Sequence, residues 1–237
     1  DKKLIFFANR MEERKGIHIV QKMVEGTLAK YSDIAFVFAG RDLFGYMEKR
    51  ILPWVKDNGL QSQVFYLGQL ALPEVRACLK KSHIFLIPSL WENCPYSCLE
   101  AMTAGRGIVS SDCGGMPELI EDGRTGVLAR NGDPESFVAA LQRMIEDDEL
   151  RERCGRNARA EVEKRLTDTK IAQRAIDVYQ AHLDGRPVAP VRVERTNVAG
   201  DGQEAAELRQ RLAKANAELE AARQRERQLA AWRPTWG

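Results

Sequence analysis

Short apolar runs alternate with helical patterns along the first 130 residues of the chain. Leu4-Ile5-Phe6-Phe7-Ala8, Ala35-Phe36-Val37-Phe38-Ala39 and Ile84-Phe85-Leu86-Ile87 are apolar at every position. Strands of that kind bury both faces, so helices must cover both sides of the sheet they build. Val64-Phe65-Tyr66-Leu67, Gly107-Ile108-Val109-Ser110 and Gly126-Val127-Leu128 complete the strand series. Between them the pattern predicts helices from near Gly16, through Tyr46 and Ile51, from Pro73, from near Pro95 and around Pro117. This order predicts an α/β fold, a doubly wound parallel sheet whose ligand crevice lies at the carboxyl ends of its strands.

From Pro134 onward the strands stop, and Pro134 to Ile145, Leu150 to Arg165 and Thr167 to Leu183 read as a C-terminal helical extension. Residues 1–184 therefore form the main domain, and residues 185–203, rich in Pro, Gly, Val and Arg, read as a linker. Residues 204–237 read as a helical tail. Within residues 204–230, Leu208, Leu212, Ala215, Leu219, Ala222 and Leu229 follow a heptad seam that Glu226 interrupts. That segment reads either as a solvated helix joining another domain or as a coiled-coil contact.

Composition narrows the function classes. The 36 basic and 34 acidic side chains nearly cancel, leaving +2 with no dense cationic run, which argues against a charge-held nucleic-acid partner. No stretch approaches the ~18 apolar residues of a membrane span. The chain opens at Asp1 directly before a strand-like run, without Met or a signal peptide, as expected of a piece of a longer protein. The five cysteines are odd in number and spread out, with no CxxC pair, which fits a reducing compartment. Cys94 and Cys98 have no further ligands nearby, so no metal site is expected.

Three strand ends carry side chains that folding alone does not require. Asn9-Arg10-Met11-Glu12-Glu13-Arg14-Lys15-Gly16 follows the first strand and places Arg10 and Lys15 in one βα loop. Arg10 suits a phosphate by its planar fork and Lys15 by its point charge, although a charged surface loop looks the same. After Ile87 comes Pro88-Ser89-Leu90-Trp91-Glu92-Asn93-Cys94-Pro95-Tyr96-Ser97-Cys98-Leu99-Glu100. A helix starting near Pro95 presents the amides of Tyr96 and Ser97 and a positive dipole end, an anion site flanked by Glu92 and Glu100. Asp112-Cys113-Gly114-Gly115-Met116-Pro117-Glu118 pairs two glycines at a strand end, either for close approach to a ligand or for a tight turn.

Arg10 with Lys15-Gly16, the strand from Phe36 to Gly40, Val64 to Gly68, Glu92 and Glu100 with seven residues between, Glu100-Ala101-Met102-Thr103-Ala104-Gly105 and Gly114-Gly115-Met116-Pro117-Glu118 stand in one order. Together they resemble the C-terminal domain of the "glycosyl transferases group 1" family, retaining enzymes of GT-B fold. The resemblance covers residues 2 to about 183. Asn9 and Asp42 stand where the family commonly has Gly. Asn93-Cys94-Pro95 replaces a Gly-containing segment, and Gly107 replaces a frequent Pro.

The resemblance implies a Rossmann-like half of a GT-B fold that binds a nucleoside-diphosphate sugar and moves the sugar to an acceptor with retention. By it, Arg10 and Lys15 (followed by Gly16) bind the departing diphosphate, and Glu92 sits near the transferred sugar as a catalytic group. Asn93, Cys94, Pro95, Tyr96 and Ser97 line sugar and phosphate, Glu100 holds the ribose, and the stretch from Gly68 to Leu70 meets the base. No cofactor and no metal ion are expected. The acceptor site is expected in an N-terminal domain outside these residues, so this piece alone should turn over little. Polysaccharide or lipid-linked glycan assembly is the family's setting, in the cytoplasm or at the inner face of the membrane. A nucleotide-sugar 2-epimerase of the same fold and a non-catalytic nucleotide-sugar-binding module remain open. A glycogen phosphorylase-like enzyme needs a pyridoxal-phosphate lysine context that the sequence lacks.

Overall fold

The computed structural model describes residues 2–187. Most of the expected linker and all of the expected helical tail lie outside the described residues. Six strands form one sheet: β1 (Lys3–Ala8), β2 (Ile34–Ala39), β3 (Val64–Tyr66), β4 (Ile84–Ile87), β5 (Gly107–Ser111) and β6 (Val127–Ala129). Their order across the sheet is β3-β2-β1-β4-β5-β6, and every pair is parallel. Ile5 of β1 lies opposite Phe36 of β2 and Ile84 of β4, so the most apolar strands occupy the middle.

The helices are α1 (Ile17–Leu28), α2 (Leu52–Asp57), α3 (Leu72–Lys81), α4 (Tyr96–Thr103), α5 (Met116–Leu119), α6 (Pro134–Glu146), α7 (Asp148–Arg165) and α8 (Asp168–Leu183). Alternate residues of β1 serve opposite faces. Ile5 and Phe7 pack with α1, α2 and α6, whereas Phe6 packs with α3, α4 and α5. α7 contributes Leu150 and Cys154 to the first core and Ala158 and Val162 to the second. Burying each such phenylalanine contributes roughly 1.5–3 kcal/mol. α8 buries no residue.

The helix expected through Tyr46 and Ile51 is wound in two ways. Met47–Ile51 is π-helical and runs into α2, whose Pro53 lies in its first turn and has no amide to close a preceding one. Asp42 starts this segment. Its carboxylate accepts from the amides of Tyr46 at 2.9 Å and Met47 at 2.8 Å. The order of strands reverses between β1 and β4. The loops that follow these two strands therefore leave towards helices on opposite faces, and a crevice opens between them.

Candidate functional site

The loops at that crevice are those that carry Arg10 to Gly16 and Pro88 to Pro95. Glu13–Lys15 forms one turn of 3-10 helix before Gly16, which adopts φ 80. A Cβ at Gly16 would lie 1.9 Å from the Pro88 carbonyl oxygen, so only glycine lets the two loops meet there. The Leu90 amide then bonds to the Arg14 carbonyl at 2.9 Å.

This contact brings Lys15 onto Glu92. Lys15 Nζ donates to Glu92 Oε1, with both side chains buried at 8% and 7% exposure. Ser89 Oγ, fully buried, donates to the same oxygen at 2.9 Å. The loop under Glu92 is fastened from three sides. Ser111 Oγ donates to the Ser89 carbonyl at 2.5 Å, Asn131 Nδ2 to the Leu90 carbonyl at 3.0 Å, and the Gly115 amide to the Glu92 carbonyl at 2.9 Å. Cβ atoms at Gly114 and Gly115 would each lie 2.0 Å from the Glu92 and Asn93 carbonyl oxygens, respectively. The close approach those glycines allow is to the protein's own loop.

Arg10 is 55% exposed at its side chain, and its Nη2 lies 3.1 Å from Glu12 Oε1. Arg14 sits between two carboxylates, 3.3 Å from Glu12 Oε1 and 3.9 Å from Glu92 Oε2, and its Nη1 donates to the Trp91 carbonyl at 3.5 Å. Arg14, Glu12 and Ser89 were not singled out from the sequence. Arg10, Glu12, Glu13, Arg14 and Lys15 crowd one loop with no fixed period, so nothing in their spacing tells which of them turns inward.

Beyond this cluster, α4 begins at Pro95 with no side-chain cap. The Cys98 and Leu99 amides bond to the Pro95 carbonyl, which leaves Tyr96 and Ser97 as the turn's outward donors. Asn93, Cys94 and Tyr96 are exposed, Ser97 and Glu100 half-buried and Pro95 buried. Leu70 and Glu100, 30 residues apart in sequence, line one cleft of about 300 Å³ together with Asn9, Gly40, Gln69 and Phe85. The structure thus joins Lys15 to Glu92 directly and Leu70 to Glu100 across a cleft.

All five cysteines are free thiols. Burial raises the Cys98 and Cys113 thiols above the ordinary range, so neither is a ready nucleophile. Among the described residues no three His, Cys, Asp or Glu side chains gather as ligands for a metal ion, and no helix is long and apolar enough to cross a membrane.

A family model described as "Glycosyl transferases group 1" matches residues 1–161. The putative glycosyltransferase YtcC of Bacillus subtilis is 30% identical over 200 residues, covering 77% of this chain and 46% of YtcC. The chain spans about half the length of the curated relatives it matches. Among solved structures, Anabaena Alr3699/HepE in complex with UDP superposes with TM-score 0.67 at 23% identity, covering 76% of this chain and 49% of that one. The C-terminal domain of LpcC, a glycosyl transferase group 1 family protein of Francisella tularensis, gives TM-score 0.65 at 24% identity, covering 70% of this chain and 87% of that one. These likenesses fix the GT-B type of Rossmann-like domain.

Proposed function

The chain belongs to the glycosyl transferases group 1 family, and on that premise we propose that it is the donor-binding half of a retaining glycosyltransferase. It binds a nucleoside-diphosphate sugar in the crevice between the β1 and β4 loops. The observation that carries this reading is the buried Lys15–Glu92 pair at the reversal of strand order, with exposed Arg10 in the loop of Lys15 and the uncapped start of α4 just after Glu92.

An ammonium has three donors, and the bond to Glu92 uses one of them. Lys15 therefore serves Glu92 and a phosphate oxygen together. Arg10 closes on the diphosphate from the solvent side, and the Tyr96 and Ser97 amides approach from the helix start. These groups stabilise the negative charge that develops on the leaving nucleoside diphosphate, the task a metal ion performs in other transferases. Glu92, its Oε1 fixed by Lys15 and Ser89, faces the transferred sugar and stabilises positive charge at the anomeric carbon. Glu100 receives the ribose hydroxyls, and Leu70 meets the base in the cleft they share. The acceptor is bound by a second domain, and the 237 residues alone bind donor and transfer little.

The test is a titration of the 237-residue chain with UDP, GDP, ADP and dTDP. One of them binds, and Arg10→Ala weakens it at least about tenfold, the low end of a ~1.5–3 kcal/mol charged hydrogen bond. Arg10 is the informative position because its exposed side chain leaves the fold undisturbed when removed. Equal affinity in the two proteins rejects the phosphate assignment. Efficient sugar transfer by this chain alone rejects the division of labour between two domains.

A further inference from the structure

Glu12 stands between two arginines in the β1 loop, and its carboxylate is badly matched to both. Oε1 is 3.1 Å from Arg10 Nη2 and 3.3 Å from Arg14 Nη2, yet that oxygen is buried with no hydrogen-bond partner. Neither guanidinium aims an N–H at it. A guanidinium binds an oxyanion best through two parallel bonds in its own plane, and a carboxylate supplies that geometry whenever the backbone allows it. Here two forks converge on one oxygen and neither bond forms. An acceptor without donors sits beside donors without a good acceptor.

Arg14 is placed to serve both loops. Besides Glu12 it reaches the Trp91 carbonyl at 3.5 Å, a long bond, and lies 3.9 Å from Glu92 Oε2. Its side chain is 41% exposed. In this cluster three cations, Arg10, Arg14 and Lys15, face two carboxylates, Glu12 and Glu92, leaving a formal surplus of one positive charge.

We propose that Arg14 is a third cation of the diphosphate site and that Glu12 is a built-in competitor for it. Glu12 keeps the Arg10 and Arg14 guanidinium groups gathered before a ligand arrives and yields them to the diphosphate. The inference rests on the reading of Arg10 as a phosphate ligand. A diphosphate offers more oxygens and more charge than a carboxylate and approaches from the open side of Arg10. Little is lost when it displaces an oxygen that forms no hydrogen bond. While it stays, the Glu12 charge repels the ligand. Glu12 thereby weakens the grip on the nucleoside diphosphate, the product that has to leave after transfer.

The experiment uses the tightest binder among UDP, GDP, ADP and dTDP, with its monophosphate and its bare nucleoside, on the 237-residue chain by calorimetry. Glu12→Gln keeps the side chain's length and removes its charge. It binds the diphosphate about fivefold tighter, the monophosphate less so, and the nucleoside unchanged, because one nearby charge acts in proportion to ligand charge. Arg14→Gln weakens the diphosphate about tenfold, and in that background the gain from Glu12→Gln shrinks. A merely structural role for Glu12 shifts all three ligands alike or weakens the diphosphate, and either result overturns the proposal, as does unchanged diphosphate affinity in Arg14→Gln. If the unaltered chain binds no nucleoside diphosphate, the donor reading fails and this inference with it. If the chain binds one, Arg10→Ala weakens it and Glu12→Gln does not change it, only the role of Glu12 is lost.

Discussion

The two edges of the sheet use the same kinds of charged side chain and reach opposite results. At the amino edge, Lys3 Nζ donates to the Ile145 carbonyl at 2.7 Å and to Asp148 Oδ1 at 2.6 Å. Arg151 Nη1 donates to the Met144 carbonyl at 3.0 Å and to Asp148 at 2.5 Å. Met144 and Ile145 lie in the last turn of α6, where free carbonyls and the negative dipole end favour cations. Lys3 and then Arg151, through their bonds to it, hold Asp148 down at about 2. Each of these three charges has a well-made partner, and together they tie β1 to α6 and α7. At the carboxyl edge Lys15 and Glu92 are paired as firmly, but Glu12 is orphaned and Arg10 stands in solvent. On the reading proposed above, the Arg10 and Arg14 guanidinium groups are what this edge leaves for a ligand, and Glu12 competes with that ligand for them.

The largest effect falls on the one carboxyl-edge contact that resembles the amino edge. Lys15→Ala leaves Glu92 charged and buried without its partner, which costs about 3–5 kcal/mol of stability in urea unfolding. The double variant Lys15→Met with Glu92→Leu recovers most of that loss and still fails to bind nucleotide. A single variant within about 1 kcal/mol of the parent, the cost of an exposed pair, means that burial adds nothing to this pair's strength. Next in size is Arg151→Ala, which removes the buried cation at the other edge and costs about 1–3 kcal/mol through its orphaned carbonyl and lost packing. Nucleotide affinity stays within twofold. A parallel loss of binding means the edges are not independent.

Smaller still is Glu100→Ala in the Leu70 cleft. It leaves stability unchanged and weakens the nucleoside diphosphate about fivefold, as loss of hydrogen bonds worth ~1 kcal/mol does. The bare nucleoside loses the same factor if, as proposed, Glu100 receives the ribose and not a phosphate. A loss confined to the diphosphate moves Glu100 to the phosphate end of the crevice.

How much of this was legible follows from what the sequence encodes locally. The strands were readable because runs such as Ile84 to Ile87 are apolar at every position, and burial on both faces leaves one kind of sheet to build. The start of α4 was readable because Pro95 fixes where a helix can begin. Lys15 and Glu92 were each picked out, but not their bond. Their 77-residue separation is closed only when Gly16 lets the β1 loop touch Pro88. The role of Gly107 was hidden for the same reason. A Cβ there would lie 2.6 Å from Arg151 Cγ, so the glycine makes room for a residue 44 positions later. Ser89, Glu12 and Arg14 sit in loops, where no period assigns a side to each residue.

The least of the effects sharpens the comparison through pH, and it belongs wholly to the amino edge. His83, immediately before β4, accepts a hydrogen bond at Nδ1 from the Leu4 amide at 3.0 Å. The acceptor nitrogen carries no proton, so the ring is neutral with its hydrogen on Nε2. Burial first, and then the positive charges of Arg151, Lys3 and Arg106, lower its pKa below the ordinary 6.5. Above about pH 6.5 the ring is neutral in both folded and unfolded chains, and its contribution to stability is whole. As pH falls through that value the unfolded chain takes up the proton first, so stability declines until the folded pKa is passed. The slope is bounded by one proton, about 1.4 kcal/mol per pH unit, and is smaller here because the ring is only half-buried. Asp148, held at about 2, stays ionised across this window and adds no slope of its own. His83→Gln keeps an acceptor for Leu4 and cannot titrate, so its stability relative to the parent improves between pH 7.5 and 5.5 in urea unfolding. If the two proteins keep a constant difference over that range, the ring takes up its proton as easily in the folded chain as in the unfolded one, and the amino edge is wetter than its bonds imply.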